Sequence, residues 1–354
     1  MKKSLSFILA IIAMAMCLFC SCNGTENEGV LNVALQTTAQ GIPAYIAETE
    51  GYTEQLGLKT SSAVYATGVA QLEALGADSW DVACIGAPPA MTANIAYDAQ
   101  IIAMVLNETA TELFVRPDSD ILNDKTMTGG IMGNADSWRG KTILLPINTT
   151  SHYIILSALS NIGIGANDVN LINMDVGQAY TAFKSGQADV VTLWDPNSFR
   201  AADEGWVSVM YGPNTSAVCP CMLIASKKAI EEKPEEIKAW LRAYFNVVSD
   251  PSFTTEKQAS VVYDFFNAND VVISENESML FAKRKDFYSL EDSYKMFFEK
   301  AEDGKTMSEK YMYDIAEFFY SQGSYTKEDY DKVTSGGLFY TKFIEELYEE
   351  SLNG

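Results

Sequence analysis

Short apolar segments alternate with helical segments along the first part of the chain, and this alternation limits the possible folds more than any other feature. Strands are predicted at residues 31–35, near Tyr65, at 81–85 and at 101–106. A loop of small residues and then a helix follow each of the first three. Strands that alternate with helices predict a parallel sheet with helices on both faces. The sequence therefore indicates an α/β fold.

The same pattern starts again after residue 140, which indicates a second lobe. Strands are predicted at residues 141–145, 169–173 and 189–193, with helices between them. Residues 113–116 would carry the chain into the second lobe, and residues 221–225 would bring it back. The predicted lobes are residues 31–115 with 226–354 for lobe 1, and residues 116–225 for lobe 2. The aromatic residues of the helical tail, which repeat at helical spacing, are predicted to be core.

The first residues predict export from the cytoplasm. Lys2 and Lys3 precede an apolar run at residues 5–19, which is shorter than the ~20 residues that a membrane-spanning helix needs. A positive start, a short apolar run and small residues after it are typical of a signal peptide, predicted here at residues 1–21.

The cysteine that follows the predicted signal peptide is a candidate for lipidation. The segment around Cys22 resembles the lipobox of bacterial lipoproteins, although Phe19 stands where that motif usually has Leu. Residues 22–30 would then form a flexible tether to the membrane. The alternative is an ordinary signal peptide cut near Ser21, with Cys22 unmodified.

Charge and residue counts exclude several classes of partner. A formal net charge of −22 argues against binding to nucleic acid or to anionic lipid. The chain has a single histidine, His152, so the usual zinc sites have too few ligands. Cys219 and Cys221 could form a disulfide or remain two thiols. No cofactor is expected.

The loops after the predicted strands are the candidate binding surface. In an open parallel sheet, ligands bind outside the carboxyl ends of the strands, where helix N-termini offer free N–H groups. The loops here carry small or hydroxylated residues and no Lys or Arg. The predicted ligand-binding residues are Gln36, Thr38, Gln40, Gly41, Thr67, Gly68, Gly86, Ala87, Pro88, Asn107, Asn148, Thr150, Ser151, His152, Trp194 and Asp195.

Two of these loops carry the sharpest expectations. The segment 148–152 is the strongest single candidate, and Thr150 and Ser151 are also expected to cap a helix. Asp195 either meets a positive or N–H group of the ligand, or braces its own loop before Pro196. Glu108 lies beside the loops and adds a second acid.

Several motifs in order along the chain carry a family resemblance. They are residues 42–47 with 50–52, residues 71–75, 80–83 and 86–89, residues 138–142 with 150–152, and residues 182–189 with 194–196. Together they resemble substrate-binding proteins for aliphatic sulfonates, taurine and nitrate, from residue 31 to about residue 248. The Trp194–Asp195–Pro196 corner looks most like the sulfonate branch. The tail after Leu290 is longer than the family leads us to expect.

The resemblance implies a two-lobed periplasmic-binding-protein-like fold of type II. Each lobe would have a mostly parallel sheet flanked by helices, and the C-terminal region would be helical. It also implies a monomeric, lipid-anchored protein outside the cell that closes around a small sulfonate, taurine or related anion. Its partners would be an ABC transporter permease with its ATPase.

Other functions stay open at this point. The ligand could be a thiamine-precursor aminopyrimidine or a similar ring, held against Trp194 and Tyr153. A sensor instead of a transporter could receive the ligand. A pyrimidine synthase of the same fold would need a dense cysteine motif, and the cysteines here are scattered. The sequence therefore favours a binding protein over an enzyme.

Overall fold

A computed structural model describes residues 29–108 and 110–353. The predicted signal peptide and Cys22 lie outside the described residues. The strands are β1 Val30–Gln36, β2 Lys59–Tyr65, β3 Val82–Gly86, β4 Gln100–Asn107, β5 Thr111–Val115, β6 Met127–Thr128, β7 Ile131–Met132, β8 Thr142–Leu145, β9 Asn170–Asn173, β10 Val190–Trp194, β11 Val207–Tyr211 and β12 Pro220–Ala225.

The helices fill both the strand connections and the C-terminal third of the chain. They are α1 Ile42–Thr49, α2 Tyr52–Gln55, α3 Gly68–Gly76, α4 Ala87–Tyr97, α5 Ala135–Trp138, α6 Thr150–Ser160, α7 Val176–Lys184, α8 Asn197–Ala201, α9 Lys227–Glu232, α10 Pro234–Ser249, α11 Thr255–Ala268, α12 Glu275–Lys283, α13 Leu290–Phe298, α14 Met307–Ser321, α15 Lys327–Thr334 and α16 Lys342–Asn353. None of these described helices is long and apolar enough to cross a membrane.

The first sheet has the strand order β2-β1-β3-β12-β4. Strand β1 runs parallel to β3, with Val33 opposite Val82, and β12 runs antiparallel to both β3 and β4. Every residue of β3 and β12 is buried. Helices cover both faces of such a central strand, which explains why these two segments are continuously apolar in the sequence.

The second sheet has the order β6-β7-β11-β5-β10-β8-β9. Strand β8 is parallel to β9 and β10, whereas β5 is antiparallel to β10 and β11. The α/β class is confirmed, but both sheets are mixed instead of mostly parallel. Two consecutive strands can be parallel neighbours only if a crossover connection joins them. Strands β5 and β12 each enter their sheet directly from the other sheet, and both run antiparallel to their neighbours.

The two chain crossings lie earlier than the sequence predicted. The prediction placed residues 111–115 in lobe 1 and residues 220–225 in lobe 2. Strand β5 instead pairs within the second sheet, and β12 pairs within the first. The crossings therefore fall between β4 and β5 and between β11 and β12, because each connecting strand belongs to the sheet that it enters.

The helical tail packs against elements of both sheets. Backbone hydrogen bonds join Ile101 to Leu338 and Tyr288 to Val105, which fixes the tail to β4. On α14, Phe319 is buried, and its ring centroid lies 5.7 Å from that of His152 on α6. Phe319 is therefore core, as the spacing predicts. Phe318 packs half-buried against the core, Tyr311 is also half-buried, and Tyr320 is exposed.

Gly68, the first residue of α3, tests how closely α3 packs on α4. A Cβ at this position would lie 2.6 Å from Cγ of Pro89, whose ring cannot move aside. Gly68→Ala should therefore lower the free energy of unfolding by about 1–3 kcal/mol, measured by urea denaturation.

Gly177 on α7 is the matched control for this substitution. A Cβ there would have no neighbour within 4 Å. Gly177→Ala should leave stability unchanged or raise it by up to about 1 kcal/mol, because alanine favours the helix. Equal losses in the two variants would contradict the packing argument.

Candidate ligand-binding site

A cavity lies between the two sheets, where loops from both of them meet. Its empty space is about 680 Å³, including the part that opens to solvent. Its lining residues are Gln36, Thr38, Ala39, Gln40, Thr67, Gly68, Gly86, Pro89, Glu108, Ala110, Thr111, Thr149, Thr150, Ser151, Trp194, Asp195, Cys221, Phe281 and Lys285.

The first sheet contributes the ends of β1 and β3 and the starts of α3 and α4. Thr67 caps α3 by accepting a hydrogen bond from the N–H of Ala70 at 3.3 Å. Gly86 ends β3, and α4 begins at the next residue. Helix α3 presents N–H groups of its first turn at this wall, whereas Pro88 and Pro89 have no N–H, so α4 contributes mainly the partial positive charge of its N-terminus.

A buried amide network holds the end of β1. Nε2 of Gln36 donates to Oε1 of Gln71 at 2.6 Å, and Nε2 of Gln71 donates to the carbonyl of Ala34 at 3.0 Å. The indole N–H of Trp80 then donates to the carbonyl of Gln71 at 2.8 Å. These bonds fix the orientation of Gln36 in the cavity wall.

The second sheet contributes the start of α6 and the end of β10. The N-cap of α6 is Thr149, whose hydroxyl accepts from the N–H of His152 at 3.5 Å. Thr150 and Ser151, which the sequence placed as caps, are instead the first residues of the helix. The Ser151 hydroxyl lies 2.8 Å from that of Thr111, so the start of α6 is bonded to β5.

A group of buried charges lies at one side of the cavity. Lys285, whose side chain is 3% exposed, donates to Oε2 of Glu108 at 2.7 Å and lies 3.6 Å from Oδ2 of Asp195. Nη1 of Arg284 donates to Oδ1 of Asp195 at 2.9 Å. The hydroxyl of Ser198 donates to the same oxygen at 2.7 Å. Asp195 therefore braces its loop through one oxygen.

Burial and pairing act in opposite directions on these groups. Burial raises the pKa of Asp195, and the nearby Lys285 and Arg284 oppose that rise. For Lys285, burial acts to lower the pKa, but the charges of Glu108 and Asp195 outweigh it, so its pKa is raised. The ammonium group of Lys285 therefore stays protonated in the cavity wall.

Lys285 and Phe281 are the main lining residues that the sequence did not predict. Both belong to the end of α12 or the turn after it, outside the loops that follow strands. The available signal was the run Lys283–Arg284–Lys285, a basic cluster in a strongly acidic chain. Thr111 and Ala110 were also missed, because they lie at the crossing between sheets.

Ten of the sixteen predicted binding residues line the cavity, and six do not. The six that do not are Gly41, Ala87, Pro88, Asn107, Asn148 and His152. A Cβ at Gly41 would come 2.9 Å from the carbonyl oxygen of Gln36, so this glycine permits a tight turn. Oδ1 of Asn107 accepts from the N–H of Cys219 at 2.9 Å and fixes a crossing of the chain.

Tyr153, which the sequence analysis expected to hold a ligand ring together with Trp194, also lies away from the cavity lining. Its ring packs edge-on against Phe318, with centroids 5.2 Å apart. Trp194 lines the cavity together with Phe281 instead.

Cys219 and Cys221 are free and buried, so the two-thiol alternative describes this structure. Within residues 29–108 and 110–353, no three His, Cys, Asp or Glu side chains come together as a metal site.

Comparison with known proteins identifies the family. The sequence pattern of the NMT1/THI5-like family matches residues 38–248, more than half of the 354 residues. The chain belongs to the NMT1/THI5-like family. The resemblance inferred from the loop motifs is thus confirmed. The matched span contains every strand of the two sheets except β1.

Relatives extend this family assignment over most of the chain. A Brachyspira hyodysenteriae protein, named as an ABC transporter periplasmic binding protein, is 30% identical over 273 residues, which cover 73% of this chain and 78% of the relative. An aliphatic sulfonates-binding protein of Bacillus subtilis is 25% identical over 259 residues, which cover 70% of this chain and 74% of the relative.

A solved structure supports the fold. The periplasmic aliphatic sulphonate binding protein SsuA from Escherichia coli superimposes with a TM-score of 0.65 at 17% identity, over 88% of this chain and 92% of that one. The two-lobed architecture predicted from the family is therefore confirmed as the fold class.

His152 is a core residue, and its burial should make stability depend on pH. Burial lowers its pKa from 6.5 to about 4. Between these pH values the unfolded chain binds a proton and the folded chain does not, so stability should fall as the pH is lowered from about 6.5 to about 4, by about 3 kcal/mol in total.

The variant His152→Gln isolates this contribution, because the chain has no other histidine. Urea denaturation of both proteins at about pH 7 and about pH 4.5 measures it. Carboxylate protonation contributes to both proteins alike and cancels in the comparison. An identical pH dependence in the two proteins would contradict this prediction, because it would mean that the pKa of His152 is the same in the folded and the unfolded chain.

Proposed function

We propose that this chain is the extracytoplasmic solute-binding protein of an ABC importer, and that its ligand is a small sulfonate, taurine or related anion. The observation that carries the proposal is the meeting of three helix N-termini at one cavity, where α3 and α6 offer backbone N–H groups and α4, which begins with Pro88 and Pro89 after Ala87, adds the partial positive charge of its end. Free N–H groups and the partial positive charge of such ends bind anionic groups. The name of the Bacillus subtilis relative supports the same ligand class.

The cavity also suits capture by closure. Its walls come from both sheets, so a bound solute would contact both lobes and favour the state in which they are close together. Such a monomeric protein would present the closed form to a permease and its ATPase. The named relatives are binding proteins, and the cavity proposed here holds a solute without converting it.

A heteroaromatic ligand is the second candidate, and one observation favours it. Trp194 and Phe281 both line the cavity, so a flat ring could pack between or against them. An aminopyrimidine would use these rings, whereas an alkanesulfonate would depend on the helix N-termini.

A ligand screen tests the solute-binding proposal. Taurine, ethanesulfonate, nitrate and an aminopyrimidine should be added to the protein and its thermal unfolding followed. A ligand at a hundred times its dissociation constant stabilises the folded state by about 2.7 kcal/mol. Thr150→Val should lower affinity for the bound anion about tenfold, because it removes a hydroxyl donor from the cavity wall and keeps the side-chain shape.

Thr181→Val is the matched control, since the Thr181 hydroxyl is exposed on α7 and bonds only its own helix. Its ligand affinity, measured by calorimetry, should equal that of the wild type. Small-angle scattering should show a smaller radius of gyration with ligand. Equal affinity of the wild type and Thr150→Val for every bound anion would place the anion elsewhere.

The lipid anchor is a separate part of the proposal. Cys22→Ala should move the full-length protein from the membrane fraction to the soluble fraction, because the acylated side chain is lost. Cys20→Ala, two residues earlier, is the control and should stay with the membrane. Mass spectrometry of the wild type should detect the lipid on Cys22, and an unmodified Cys22 would refute the anchor.

A further inference from the structure

Unpartnered polar atoms are concentrated at the cavity. Among the described residues, five buried side-chain oxygen atoms have no hydrogen-bond partner. Three of them belong to cavity-lining residues, namely Oγ1 of Thr38, Oε1 of Gln40 and Oδ2 of Asp195. A buried polar atom without a hydrogen-bond partner destabilises the folded state. Three such atoms at one cavity indicate partners that a ligand supplies.

The chemistry of these atoms specifies what the ligand must bring. Oδ2 of Asp195 and Oε1 of Gln40 can only accept hydrogen bonds, and the Thr38 hydroxyl can accept as well as donate. Asp195 is 4% exposed. Its other oxygen is already bonded to Ser198 and Arg284. Oδ2 makes no hydrogen bond and has only the ammonium group of Lys285 nearby, at 3.6 Å, so Oδ2 is the atom that can still accept a hydrogen bond from a ligand.

The charge balance around Asp195 points in the same direction. The connected group contains the cations Arg284 and Lys285 and the carboxylates of Glu108, Glu112 and Asp195. With every group ionised, the three acids exceed the two cations by one charge. Burial raises the pKa of both Glu112 and Asp195, and the nearby charge of Arg284 opposes that rise in both. One positive charge from a ligand would balance the group.

We propose that this cavity selects a solute with two ends, an anionic group at the helix N-termini and an amine that donates to Oδ2 of Asp195. This inference rests on the proposed solute-binding function and narrows it to zwitterions of the aminosulfonate or amino-acid type. Asp195 is then the residue that determines specificity, and the Arg284 and Ser198 contacts hold it in place.

Paired probes that differ by the amine test this proposal. Calorimetry on the wild-type protein compares taurine with ethanesulfonate, β-alanine with propionate, and 4-aminopyrimidine with pyrimidine. The amine-bearing acid should bind at least tenfold more tightly than its amine-free partner. Asp195→Asn should abolish that advantage, because the amide keeps the shape and removes the charge. Ser198→Ala, which removes a brace from the other oxygen, should retain the advantage.

The outcomes separate this inference from the function on which it rests. Equal binding of taurine and ethanesulfonate would overturn the amine site and leave the anion site standing. Binding of 4-aminopyrimidine alone would remove the anionic ligand class and keep the amine contact. Binding of no probe would overturn both. The comparison of paired probes on the wild-type protein is decisive even if Asp195→Asn does not fold. If Asp195→Asn lowers the affinity for both members of a pair equally, Asp195 only braces its loop.

Discussion

The buried ammonium group of Lys285 sets a condition that the rest of the structure must meet. A charge withdrawn from water is tolerated only where opposite charges and hydrogen bonds replace its hydration. Glu108 and Asp195 supply them, at 2.7 Å and 3.6 Å. One of these acids lies at a chain crossing and the other at the end of β10. The pairing therefore joins the helical tail to the place where both sheets converge.

The helical tail contacts elements of both sheets. Helix α14 packs on α6 through the contact of Phe319 with His152. Backbone hydrogen bonds also join the tail to β4. A helical segment that touches elements of both sheets limits how far they can separate. Closure around a ligand would then require the contact between Phe319 and His152 and the ion pairs around Asp195 to rearrange. The two lobes would not rotate freely about two linkers.

The sequence predicted those features that depend on local order. Gln36, Thr67, Ser151 and Asp195 follow strands or start helices, and parallel strands bring such positions to one edge. The sequence could not predict the direction of β5 and β12, because burial alone gives a continuous apolar segment either way. It placed His152 in the site, since a lone histidine beside small polar residues has the same local pattern whether it faces a ligand or the core.

Lys285 and Phe281 could not be placed because their position depends on long-range packing of the tail, and both lie beyond residue 248, where the family match ends. Among the residues that line the cavity, the one ammonium group is therefore contributed by a segment outside the matched span. Substitutions at the end of α12 could change which solute is accepted while β1 to β12 stay as they are. A family match over residues 38–248 thus leaves out part of the binding surface, and two chains that match equally well in that span can differ in the charge of the cavity wall.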